Sequence, residues 1–136
     1  MRVDNLIPLV LAAIALFALY KAYRKARQAR RERLIDSYPF PPSIAAKVSK
    51  TYPHLSDAEV MRVMQGLREY FHLCNSAGRR MVSMPSQVVD VAWHEFILFT
   101  RKYEYFCGKA LGRFLHHTPL PHHSAPHPAL GGLAAG

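Results

Sequence analysis

Residues 88–117, VVDVAWHEFILFTRKYEYFCGKALGRFLHH, decide how this chain folds. They hold the only Trp, one of the two Cys and three of the eight His. Val89, Ala92, Trp93, Phe96, Thr100, Tyr103 and Cys107 recur at spacings that give a helix one buried face. Asp90, His94, Ile97 and Arg101 share the neighbouring face. The pattern predicts a helix over 87–107, preceded by Pro85-Ser86, with Trp93 as its structural anchor in the core. Gly108 ends or bends that helix, and Gly112 limits any helical turn that follows.

Two further helices lie N-terminal to it. Ser56-Asp57-Ala58-Glu59 is a capping-box pattern, in which the Ser side chain and the Glu three residues on satisfy the free amides of a helix start. The helix it opens runs to about residue 77, with Val60, Val63, Met64, Leu67, Phe71 and Cys74 on its buried face and Gly78 as its cap. Cys74 reads as a core thiol, and His72, off the stripe, as a solvated side chain. A shorter helix is expected over 43–51, between the stiff Tyr38-Pro39-Phe40-Pro41-Pro42 and Tyr52-Pro53-His54. No alternating run argues for a sheet. The expected fold is all-α: about three helices and a terminal turn over 37–119, with a core that is thin for its length. Two cysteines make a poor disulfide framework, so free thiols are expected. Residues 120–136, rich in His, Pro, Gly and Ala, read as a disordered tail whose His122, His123 and His127 are incidental or take up metal weakly.

The N-terminal third has a different character. Residues 6–20, LIPLVLAAIALFALY, carry no charge, and extending to residue 23 gives a helix of about 27 Å, close to the hydrocarbon thickness of a bilayer. Lys21 can snorkel, and Tyr20 and Tyr23 suit the interface. A cleaved signal peptide needs basic residues before the apolar run and small residues after it, the reverse of what stands here. A buried core helix fits poorly beside a run of cations. The favoured reading is a single transmembrane helix over 6–23, with residues 1–5 outside and the domain cytoplasmic by the positive-inside rule, in a bacterial inner membrane. A basic juxtamembrane helix over 24–36 follows, without Gly or Pro, and stops before Pro39. Its Arg24, Lys25, Arg27, Arg30 and Arg31 form a collar suited to anionic lipid, or serve only as the topology signal.

The net charge of +9 is local. Residues 21–33 hold seven basic residues and one acid, whereas the chain from Asp36 onward holds ten basic and seven acidic ones. A nucleic-acid binder needs its charge on a folded surface, so no nucleic-acid partner is expected. The bilayer is the expected partner, with a protein as a further one.

The candidate site comes from the same stretch that decides the fold. Asp90 and His94 are four apart and share a helix face. An Asp can hold one ring nitrogen of a His and leave the other for a proton or a metal. Cys107, His116 and His117 add soft and borderline ligands of the kind zinc or another transition metal takes. On a straight helix His94 and Cys107 are about 19.5 Å and about 220° apart, so they cannot share an ion unless the helix breaks, and no residue between them predicts a break. A return after Gly108 can bring His116 or His117 to Cys107 or to His94. The plainer alternative is a hydrogen-bonded Asp90–His94 pair on the helix surface with Cys107 in the core. No Ser-His-Asp order, nucleotide loop or paired-carboxylate pattern supports an enzyme.

Val89-Asp90, Trp93-His94, Thr100, Tyr103, Cys107 and Phe114-Leu115-His116-His117 resemble the glycine-rich-domain-containing-protein-like family over about residues 84–119. The resemblance implies a small helical domain in which these polar residues form a unit, and supplies no catalytic or metal residues. The functional expectation is a membrane-anchored binding or scaffold module, with a His/Cys metal site as an option. The alternative is a metal-dependent enzyme or accessory factor using Asp90, His94, Cys107, His116 and His117.

Overall fold

The computed structural model describes residues 3–84 and 86–117. The expected tail over 120–136, with its three histidines, lies outside the described residues. Those described form five α-helices and no strand. Helix α1 is Leu6–Ser37, α2 Pro42–Thr51, α3 Asp57–Ala77, α4 Gln87–Leu98 and α5 Thr100–Phe106. A short 3₁₀ turn, Val3–Asn5, precedes α1, and a π turn, Cys107–Leu111, follows α5.

Local signals place the helix ends. Ser56 Oγ accepts the Glu59 amide at 3.2 Å at the start of α3, and Ser86 Oγ accepts the Val89 amide at 3.2 Å at the start of α4. Each satisfies one donor that the first turn leaves free. Pro42 stands at the start of α2, where its missing N–H costs nothing. Gly78 caps α3.

Helix α1 is one unbroken helix in two settings. Its apolar part is long and apolar enough to cross a membrane, and none of that stretch is buried against the rest of the chain. Its last turns dock on the domain instead. Ile35 is fully buried, Arg68 Nη1 donates to the Ile35 carbonyl at 2.7 Å, and His72 Nε2 donates to Asp36 Oδ1 at 2.6 Å. His72, expected in solvent, is thus held on the α1 end, a partner 36 residues away. Arg31, expected in the lipid-facing collar, turns towards the domain and packs against Gly112. Burial and the nearby Arg27 lower its pKa, and the guanidinium stays charged.

The core joins all five helices. Ile44 and Val48 of α2, Val60, Leu67 and Phe71 of α3, and Val89, Ala92, Trp93 and Phe96 of α4 meet in one cluster. Phe71, Phe96 and Phe106 stack mutually at 4.8–6.1 Å between ring centroids, and Tyr38 and Phe40 close the group from the α1–α2 link. Edge-to-face and tilted geometries of this kind add to the area buried. Gly66 lets α3 and α4 approach closely, since a Cβ there would stand 3.1 Å from Val89 Cγ2.

The single helix expected over 87–107 is two. It breaks at Phe99, whose ψ of 63° leaves the helical region and whose amide bonds back to Phe96 at 3.0 Å. Phe99 then starts α5, its carbonyl accepting the Tyr103 amide at 2.8 Å. No Gly or Pro causes this. The break lets Tyr103 and Phe106 pack on Phe96, so tertiary packing overrides the local preference. Gly108 does not end the helical path. The π turn carries through it to Gly112, where a φ of 70° reverses the chain.

Candidate functional site

The return segment after Gly112 is fixed from inside. Trp93 is 2% exposed, and its indole N–H donates to the Tyr103 hydroxyl at 3.1 Å. Tyr103 in turn donates to the Leu115 carbonyl. The indole N–H of α4 is thereby satisfied by the hydroxyl of α5, and that hydroxyl's proton by a backbone carbonyl of the returning chain. Burial pushes the Tyr103 hydroxyl far above the usual range, which keeps it a donor. With Leu115 held, His117 reaches α4. Its ring lies 4.7 Å from the Trp93 ring, and its Nε2 donates to Asp90 Oδ1 at 2.9 Å. Both side chains of that pair are 21% exposed, so the contact is shielded but open to solvent on one side.

The Asp90 carboxylate therefore goes to His117, 27 residues on, not to His94 one turn away. His94 is exposed, its ring 5.8 Å from that of His117. The structure brings Asp90, His94, His117 and Trp93 together. His116 and Cys107 do not join them. His116 packs edge-on against Phe114 instead, with ring centroids 4.8 Å apart. Cys107 is fully buried, and burial pushes its thiol up against the opposing pull of the Leu115 amide and the Tyr103 hydroxyl. Cys74, also free, is likewise raised by burial. Thiols held protonated in a core are poor ligands, since metals take thiolate. Among the described residues no three His, Cys, Asp or Glu side chains are grouped to hold one ion.

What the arrangement does chemically is join three elements at a solvent-accessible edge. Asp90 fixes one nitrogen of His117 and leaves the other ring face beside His94. Sequence reasoning missed Tyr103 as the link between Trp93 and Leu115. The only sign of it was that a buried indole N–H needs an acceptor.

No match was found among curated proteins, and none among solved structures. A family model described as UCP032817-like matches residues 30–133, from the basic end of α1 through the whole helical domain, and the chain belongs to that family.

Proposed function

We infer that the chain is a membrane-anchored binding module, its helical domain held at a fixed height and angle on one transmembrane helix. The observation that carries this is the continuity of α1: an apolar stretch with no cover inside the chain runs without a break into turns that are locked to α3. The cations after residue 20 favour a cytoplasmic domain and an outside N-terminus, as in a bacterial inner membrane. A rigid stalk suits a module that presents a surface to a partner at the membrane face. Alkaline carbonate extraction tests the anchor: the full chain is expected to stay with the membrane, and a chain lacking residues 3–23 to be released. A reporter fused after Gly136 that is active only outside the cytoplasm overturns the orientation.

A second reading, a metal-assisted function, rests on the closeness of His94 and His117 with Asp90 on one of the two rings. It would take the two imidazoles as the protein ligands, with Asp90 orienting His117 and solvent completing the shell, without Cys107 or His116. Zinc titration of the full chain tests it: stoichiometric binding lost in His94→Ala favours the reading, and no binding removes it.

A further inference from the structure

A cleft of about 380 Å³ opens between the α3–α4 connection and the return segment, with Trp93 in its wall. Small-molecule sites begin at about 300 Å³, so the cleft suits a compact ligand rather than a peptide of several residues. Its floor is aromatic and sulfur-rich: Tyr70 and Trp93, with ring centroids 5.0 Å apart, and beside them Cys74 and Met84. The polar atoms of the two rings already have partners. The Trp93 N–H donates to the Tyr103 hydroxyl, and the Tyr70 hydroxyl donates to the Val82 carbonyl at 3.4 Å. What the floor offers a ligand is therefore apolar surface, shaped for a ring.

The rim has the opposite character. Arg79, Arg80 and Arg113 line it, the first two exposed. Arg113 Nη2 donates to the Cys74 carbonyl at 3.4 Å, which ties the guanidinium to the floor and leaves its other N–H groups open. Its charge reaches inside the cleft. Burial raises the Tyr70 hydroxyl and the Cys74 thiol, and Arg113 opposes that rise at both. All nine acidic residues of the sequence stand among the described residues. None of them lines the cleft, and the ion pairs among the described residues use His72 and His117, not these arginines. Three cations without a carboxylate, set over an apolar floor, repel a cation and favour an anion with an apolar body.

We propose that this cleft binds a small aromatic carboxylate, its ring on Tyr70 and Trp93 and its carboxylate on the rim arginines. Charge complementarity supports the occupant, since two carboxylate oxygens match the paired N–H donors of one guanidinium. The proposal goes beyond the anchored-module reading and does not depend on α1 crossing a membrane. It also gives Leu115 and His116 a role distinct from that of His117: they wall the cleft, while His117 pairs with Asp90.

The test titrates the full chain, in a neutral detergent, with 3-phenylpropionate and with its uncharged amide, and reads the emission of Trp93, the chain's only indole. The acid is expected to change that emission saturably, with half-saturation on the order of 1 mM for a ligand of this size. The amide is expected to need about tenfold more, because it lacks the charged hydrogen bonds. In the Arg79→Gln/Arg80→Gln double variant the acid is expected to weaken to the level of the amide, while the amide and the resting emission stay as in the parent. No saturable response to the acid, or equal responses to acid and amide, overturns the proposal. So does a double variant that weakens both ligands alike, which would make the arginines structural. Inorganic phosphate that saturates the same response as readily as the acid removes the need for a ring. A short-chain phosphatidylglycerol, or a peptide ending in phenylalanine, that binds about tenfold more tightly than the acid makes a lipid or a protein terminus the occupant instead. None of these results bears on the membrane span.

Discussion

The first half of helix α1 and helix α4 are both strongly apolar, and they resolve their apolarity in opposite ways. Helix α4 buries Val89, Ala92, Trp93 and Phe96 inside the chain and keeps Asp90 and His94 on its open side. Helix α1 through residue 23 buries none of its apolar side chains, with Leu9, Leu11, Leu16 and Leu19 all more than 60% exposed. One helix has a polar face and needs only its own domain. The other has none over its first half, and needs a solvent that the chain does not supply. The lesson is that hydrophobicity alone assigns neither burial nor membrane insertion; the presence of a polar face and of a covering partner separates them.

The largest expected effect strikes α4. Trp93→Ala removes an aromatic core side chain and leaves the Tyr103 hydroxyl without its donor, and is expected to cost about 3–5 kcal/mol in chemical unfolding followed by circular dichroism. A loss under about 1 kcal/mol would place Trp93 outside the core and break the contrast with α1.

The next test compares two isoleucines on one helix. Ile35→Ala, at a fully buried position, is expected to destabilise the domain by about 3 kcal/mol. Ile14→Ala, 59% exposed within the chain, is expected to leave domain unfolding in micelles within about 0.5 kcal/mol of the parent. Equal effects at both sites would mean that the apolar half of α1 packs on protein.

Alkaline pH probes the core side of the contrast with a smaller effect. Burial raises the thiols of Cys74 and Cys107 above their ordinary value of 9.0 and the hydroxyls of Tyr70 and Tyr103 above 10.0. A group whose pKa is higher folded than unfolded favours the folded state fully below the unfolded value and less as pH rises through the folded one. Stability is therefore expected to be flat through neutral pH and to fall above about pH 9. Native thiol alkylation should be slow up to that point. Rapid labelling of both cysteines at neutral pH in the folded chain would contradict their burial.

Much of this architecture was readable in residue order. The Ser56–Glu59 pattern opens α3, the Pro cluster at 39–42 separates α1 from α2, and the stripe on α3 is the buried one. These signals are local, acting within one turn or one residue. The break at Phe99 was not readable, because its cause is the fit of Tyr103 and Phe106 against Phe96 rather than any residue that disfavours helix. The site was half readable. A return of the His pair towards α4 follows from Gly112, but the choice of His117 over His94 for Asp90 depends on Leu115 being pinned by Tyr103. His72 on Asp36 has the same character, a pairing set by where two distant helices meet.

The smallest expected effect belongs to the Asp90–His117 pair, and it sharpens the comparison by asking what the open face of α4 is for. The pair is one-fifth exposed on each side, so solvent weakens it, and Asp90→Asn is expected to cost only about 1 kcal/mol of stability. His117→Ala is expected to cost a similar amount through the same contact plus its packing on Trp93. A double-mutant cycle separates the two contributions. A coupling near about 1 kcal/mol assigns the loss to the hydrogen bond, while a coupling near zero assigns it to the stacking alone. Trp93 is the chain's only indole and lies against the His117 ring, so its emission reports the pair directly in the folded state. His117→Ala should shift that emission, and Asp90→Asn should shift it less, because the ring stays pinned by the Leu115 backbone. If Asp90→Asn alters the emission as much as His117→Ala does, the carboxylate is what holds the return segment, and the Trp93–Tyr103–Leu115 chain does not suffice to place it.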